Sequence, residues 1–529
     1  MARAGRFLFN LLLAGALGGA AYVGWVSYLG SPVPVDLLPG GAGVVVQARN
    51  LESLSRQLAG TRFGAAFAQS ATRQWLERTA PVAAFDAVLA DIGRISRVAP
   101  GRDSAFDLVG TEAAVAWYPP AGGGGASAAP WVAGGRLSLR AWAAATAMRL
   151  GLRVGIGTAH VNREDAAGRT IYSLPGGAGE ALYGFLAGRV LVAGTDRALV
   201  VKAAHAVSDP GVGVTREPGW LGIRKALPAG GDFFLWARER GTLPGGLPAS
   251  LVGRGSAGVS VRAGARVEID VAAEPASPRQ APAPAGRSSS LPGLALLQKE
   301  PLFLLSSRGP VPSAITDLLQ TRRRLVVRRN PGSSQEVPPF PQGDGFAVVL
   351  TEGAGGSGLF PAPRGLVMIG MPGAGESAST LASLFPPDAR TATAGGTRAL
   401  ATRESFPLAG EFEFWGAAIG SQLVFATETA LIDAATGTPA AETGRQSGDP
   451  SWTVDAVASL SMEKALPLLQ RWSAPLSGLA AVRLPDAPDV TQDLALLGAV
   501  GTVRMSAGSD DRYDRAAITL TLHDLRAGR

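Results

Sequence analysis

One stretch of this chain is written twice, and that constrains its folding more than any other feature. Residues 181–200 read ALYGFLAGRVLVAGTDRALV, and residues 413–432 read EFWGAAIGSQLVFATETALI. In each, an apolar strand runs into a Gly-polar turn, Gly188-Arg189 or Gly420-Ser421. A second apolar strand follows, and Thr-Asp or Thr-Glu then opens a helix. Such a turn favours a hairpin, and Thr195 or Thr427 is placed to cap the helix. The copies lie too far apart for a solenoid period, so the pattern implies duplication of a whole unit.

The flanks extend the correspondence. Residues 107–117 resemble 343–350, each a short apolar strand after a Gly-containing turn. Residues 131–150, a strand and then an Ala-rich helix, match 365–385. Residues 258–271 read as a terminal hairpin, as do 501–508 with 517–522. Each unit is expected to open with a strand and a helix. In the first, the strand is 44–48, and Asn50 caps a helix carrying Leu51, Leu54 and Leu58. In the second, the strand is 302–306 and the helix 311–319.

Strand pairs interleaved with single helices predict an α+β fold: two tandem, duplicated units of mostly antiparallel sheet, helices packed on one face. An N-terminal transmembrane helix is expected to precede them. The predicted division is 1–30 cytoplasmic stub and anchor, 31–275 first unit, 276–295 a Pro/Ala/Ser linker, and 296–529 second unit. A further Pro-rich stretch, 330–341, reads as a surface loop.

The anchor expectation rests on residues 7–29, an uncharged apolar run of bilayer-crossing length. Arg3 and Arg6 precede it, and no Lys or Arg follows until Arg49. That asymmetry predicts a single pass through the inner membrane with the N-terminus inside and the bulk of the chain extracytoplasmic. Tyr22, Trp25 and Tyr28 cluster at the outer end, where amphipathic rings favour the headgroup zone. The competing reading is a cleaved signal peptide, with small residues at Gly19-Ala20-Ala21. Gly15 and Gly19 form a G-x-x-x-G pair that would let two membrane helices approach closely; the plain alternative is a Gly/Ala-rich helix.

Composition narrows the classes. With 46% hydrophobic and 17% charged residues, the chain buries sizeable cores and is not a disordered sequence. The net charge of +7 is thin over 529 residues and is scattered, which argues against a nucleic-acid partner. There is no cysteine, so disulfides, thiolate metal sites and Cys nucleophiles are excluded.

No catalytic, cofactor-binding or metal-ligating set emerges, and no cofactor is expected. Gly370-Met-Pro-Gly-Ala-Gly-Glu-Ser377 fits a phosphate-loop spacing, but Glu376 stands where that loop needs Lys. His160, His205 and His523 show no metal-like spacing. Asp510, Asp511 and Asp514 resemble a turn more than a calcium loop. The densest basic run, Arg322, Arg323, Arg324, Arg328 and Arg329 around Leu325-Val-Val327, suits contact with an anionic partner or lipid. Its other reading is a strand edge protected by charge.

Leu38-Pro39-Gly40-Gly41 followed by Val-Val-Val-Gln-Ala-Arg-Asn-Leu at 44–51, behind an apolar N-terminal run, resembles uncharacterised bacterial membrane-anchored envelope proteins of a domain-of-unknown-function type. The resemblance implies export and an envelope location, and carries no activity. The expected role is a non-enzymatic binding or scaffold component with an envelope protein partner. The alternatives are an exported hydrolase with a site assembled from both units, or a carrier of a hydrophobic ligand.

Overall fold

In a computed structural model, residues 31–50, 60–70, 109–119, 129–149, 161–175, 181–238, 255–264, 266–275, 301–328, 337–352, 364–406, 410–436, 452–468 and 494–523 are described, with a few isolated positions between them. The chain forms two compact units. The first comprises residues 1–60, 73–263 and 270–277; the second comprises 61–72, 264–269 and 278–529. Helix α1 (Arg62–Gln69) therefore belongs with the second unit.

In the first unit, β1 (Val44–Arg49) is central. It pairs antiparallel with β2 (Val109–Trp117) on one side and β8 (Phe233–Arg238) on the other. Beyond β2 lie β3 (Trp131–Leu137), β7 (Val190–Gly194), β6 (Ala181–Ala187), β5 (Arg169–Pro175) and β4 (Asn162–Ala166). Beyond β8 lies β9 (Ser256–Ala263), and β10 (Arg266–Ala273) follows it in sequence. Its described helices include α2 (Leu139–Arg149), α3 (Arg197–Ser208) and α4 (Pro218–Ala226).

In the second unit, β11 (Phe303–Pro310) takes the central place between β12 (Asp344–Thr351) and β18 (Thr453–Ser461). From β12 the order continues through β13 (Arg364–Gly370), β17 (Gln422–Ala426), β16 (Gly410–Ile419), β15 (Thr397–Phe406) and β14 (Arg390–Ala394). From β18 it continues through β19 (Val500–Ser509) to β20 (Asp514–Leu522). The helices are α5 (Ser313–Arg328), α6 (Ala374–Leu384), α7 (Thr429–Thr436) and α8 (Leu494–Gly498). Strand for strand, the pairing order is that of the first unit.

Turn chemistry explains the matched hairpins. The two-residue loops after β6 and β16 are left-handed only at Gly188 (φ 60°) and Gly420 (φ 57°), the II′ pattern with Gly first. The loops after β4 and β14 are left-handed at both positions, Ala167-Gly168 and Gly395-Gly396, the I′ pattern. The threonines at the two matched sites act as strand clips. Thr195 Oγ1 accepts from Trp131 N at 3.3 Å, and Thr427 Oγ1 accepts from Gly365 N at 3.0 Å. The expected cap of α3 shifts by one residue, because the Asp196 carboxylate accepts from Leu199 N.

The fold-class expectation is overturned. The described chain is mostly antiparallel strand, twenty strands in all, with few helices. Nor do the helices of the second unit keep to one face. Leu381 and Leu384 of α6, with Leu319 of α5, bury Ile369, Leu423 and Phe425 on one side. On the other, Leu431 and Ile432 of α7 bury Leu366, Met368, Val424 and Ala426. The reason lies in the central strands. Leu366-Val-Met-Ile369 and Leu423-Val-Phe-Ala426 run apolar without alternation, so both faces need cover. Among the described residues no helix is long and apolar enough to cross a membrane. Residues 7–29, with Gly15 and Gly19, lie outside the described residues, as do the linker residues 276–290 and the helix expected after Asn50.

Candidate functional site

The first unit contains an open cleft of about 550 Å³ beside β1. Its floor comes from alternate residues of that strand, Gln47 and Arg49. The register sets Gln47 opposite Ala114 on β2 and Phe234 on β8, and Arg49 opposite Glu112. One wall is the 3-10 turn Pro34–Leu37, with Val35, Asp36 and Leu37 lining the space. The facing wall is Trp220, Leu221 and Arg224 of α4 together with Thr215 and Arg216 of the preceding turn.

Local sequence explains the wall segments. Val33 is followed by Pro34, which fixes φ for a tight turn. Pro218 stands in the first turn of α4, where a missing N–H costs nothing. The two walls are tied together. Gly40 N donates to Val212 O at 2.9 Å, and Val214 N donates to Leu38 O at 2.8 Å. The buried Tyr118 hydroxyl donates to Pro39 O at 2.9 Å, and burial pushes its phenol pKa far up, so it stays a neutral donor. The Glu217 carboxylate accepts from Gly41 N and pairs with Arg238. The cleft is thus held open by bonds that no ligand has to form.

Among the described residues, three guanidiniums line the cleft against one carboxylate, Asp36. Arg49 pairs with Glu112 at 3.4 Å, but Glu112 is shared: Arg136 lies at 3.6 Å, and the Gln47 amide donates to it at 3.1 Å. Arg224 lies over the Phe234 ring at 4.7 Å, and that ring meets Trp220 edge-on at 4.9 Å. Its Nη1 is buried without a hydrogen-bond partner. Desolvation first, and then the like charge of Arg49, hold the Arg224 pKa below its usual range. Even so lowered, an arginine does not give up its proton.

Arg322, Arg323, Arg324 and Arg328 sit elsewhere, on α5 of the second unit, so the charged-strand-edge reading is wrong; helix, not strand, carries Leu325-Val-Val327. Arg322 donates from Nε to Leu384 O at 2.9 Å and lies over Phe414 at 4.2 Å. Arg323 is buried and donates to Pro338 O at 3.0 Å. Arg324 and Arg328 are exposed, and Arg329 lies outside the described residues. The run is therefore split between structural and solvent-facing roles.

The phosphate-loop lookalike joins β13 to α6. The Ser377 hydroxyl is buried against Gly420 O (2.7 Å) and Ala374 O (2.8 Å), and Glu376 faces solvent. His205 and His523 are exposed, and His160 lies outside the described residues. Among the described residues no three His, Asp or Glu gather as a metal site. Asp510 closes the turn between β19 and β20, accepting from Arg512 N at 2.8 Å and Tyr513 N at 2.7 Å.

None of the cleft residues was a candidate on sequence grounds. Two signals were present: Gln47, a polar residue inside an apolar strand and only 2% exposed, and Arg224 among the apolar residues of a short helix. Each is ambiguous until the other elements are placed beside it. No family model, curated protein or solved structure matches the chain.

Proposed function

We propose that the protein is a non-enzymatic binding component of the bacterial envelope, held at the inner membrane by its apolar N-terminal run and working through the cleft of its first unit. The observation that carries the binding reading is the lining of that cleft. It offers fixed cations, an amide and apolar walls, and its one hydroxyl, Thr215, has no histidine in the lining to activate it. Among the described residues Asp36 stands alone as a carboxylate there, without the second acid or base that hydrolysis of a glycoside or ester calls on. Convergent polar groups in a preformed, partly apolar hollow suit recognition.

The location is supported by the uncharged stretch 7–29 and by Arg3 and Arg6 before it. Leu221 stands 49% exposed at the mouth of the cleft, which makes it the place for a photo-crosslinking side chain. Irradiation of cells making the full-length variant is expected to trap a molecule at that position. Turnover of an ester or glycoside panel that disappears in Asp36→Asn would sink the binding reading. A C-terminal reporter that reads out in the cytosol would sink the location.

A further inference from the structure

The cleft also indicates what kind of ligand it takes, an inference that rests on the binding reading above. Arg49, Arg216 and Arg224 line it, and among the described residues only Asp36 opposes them there. Among the described residues no carboxylate pairs with Arg224 or Arg216. Arg224 is held by stacking on Phe234, and its Nη1 lacks an acceptor. Nη1 itself is closed to solvent, so an incoming oxyanion would meet the parts of Arg224 and Arg216 that line the cleft, neither of which has a carboxylate partner among the described residues. Like charges placed near each other in a half-dry site are unfavourable unless something negative joins them.

Apart from the Gln47 amide and the Thr215 hydroxyl, the rest of the lining is apolar. Val33, Pro210 and Leu221 keep accessible apolar surface there, above the buried Val35, Leu37 and Trp220. A small inorganic anion would leave that surface wet. The volume, about 550 Å³, suits a ligand with both an anionic end and an apolar body.

We propose that the cleft binds an amphiphilic oxyanion, its carboxylate or phosphate meeting Arg224, Arg49 and Arg216 and its apolar body lying on Leu221, Val33 and Pro210. Arginine suits this role because its planar fork meets a carboxylate or a phosphate through two parallel bonds. The anion supplies the acceptors that the folded chain does not.

Isothermal titration of the full-length protein with four probes carrying an eight-carbon chain tests it: octanoate, octyl phosphate, octanol and octyltrimethylammonium, each below its solubility or micelle limit. Both anions should bind, with octanol and the ammonium weaker by about tenfold or more. The stronger of the two anions identifies the source class, fatty acid or phosphate monoester. Arg224→Gln and, separately, Arg49→Gln should each weaken anion binding by about tenfold, while Arg324→Gln on α5 leaves it unchanged. Arg224→Lys, which keeps the charge and loses the fork, should fall between. Circular dichroism and melting of each variant separate lost binding from lost folding, and if Arg224→Gln misfolds, Arg49→Gln alone decides. Octanol binding as tightly as octanoate, or unchanged anion affinity in a folded Arg224→Gln or Arg49→Gln, overturns the anion assignment and leaves the binding reading intact. If no probe binds and nothing is trapped at Leu221, both fall.

Discussion

Replacing Thr427 with valine tests the clip at the matched threonines. Valine keeps the shape and removes the hydroxyl, so Gly365 N loses the acceptor it holds at 3.0 Å. The backbone bond from Thr427 N to Gly365 O, also 3.0 Å, survives the change. A neutral hydrogen bond contributes about 1 kcal/mol net, and an amide left bare in the interior costs about 1–3 kcal/mol. Gly365 is only half-buried, so water partly replaces the hydroxyl and the low end applies, about 1–1.5 kcal/mol. For a domain of this size that lowers the melting temperature by roughly 2–6 °C. Thr195→Val should cost less, because its bond to Trp131 N is longer, at 3.3 Å. Calorimetry gives the shift, and hydrogen exchange followed by mass spectrometry localises it. The peptide containing Gly365 should exchange faster in Thr427→Val and recover in Thr427→Ser. A variant that melts within about one degree of the parent, with exchange at Gly365 unchanged, would refute the clip.

Four other outcomes follow from the same structure. Gly420→Ala should cost about 1–2 kcal/mol, because φ is 57° there and no neighbour would touch a methyl, so backbone strain is the whole effect. Gly373→Ala should change chemical-denaturation midpoints very little, since its backbone is extended (φ −159°) with open space around it; a large loss there would revive a special role for that loop. Leu384→Ala should cost about 3 kcal/mol or more by urea titration, for a fully buried side chain packed among Ile369 and Leu423. Asp510 carries a pH signature. Burial pushes its carboxyl pKa up, but the amides of Arg512 and Tyr513 and the Arg515 guanidinium outweigh it and hold the folded value below the usual carboxylate range. Its contribution to stability is therefore complete above the unfolded value and is lost as pH falls through the folded one. Asp510→Asn should flatten that acidic part of the stability curve, and an unchanged curve would contradict the assignment.

What the sequence determined by itself is local. Gly188 and Gly420 need no tertiary context to favour a hairpin, because a left-handed residue between two apolar strands has few other uses. The β4–β5 hairpin was illegible, since Ala167 adopts φ 55° with a side chain that signals nothing of the kind. The same limit hid the helix layers. An unbroken apolar run such as Leu366-Val-Met-Ile369 says that a strand is buried, but not that α6, next in the chain, covers one face while α7, far along it, covers the other. Arg322 and Arg323 looked like free charge because neither Phe414 nor Pro338 stands near them in sequence.

The cleft was decided entirely by tertiary structure. Asp36, Gln47, Arg49, Arg216, Trp220 and Arg224 are unremarkable one by one. They become a site only because strand pairing sets β1 beside β8 and the ties between residues 38–41 and 212–217 bring a 3-10 turn to face a helix. Periodicity in a sequence records which side of an element is greasy, and that is a property of neighbours along the chain. A shared counter-ion and a guanidinium without an acceptor are properties of neighbours in space.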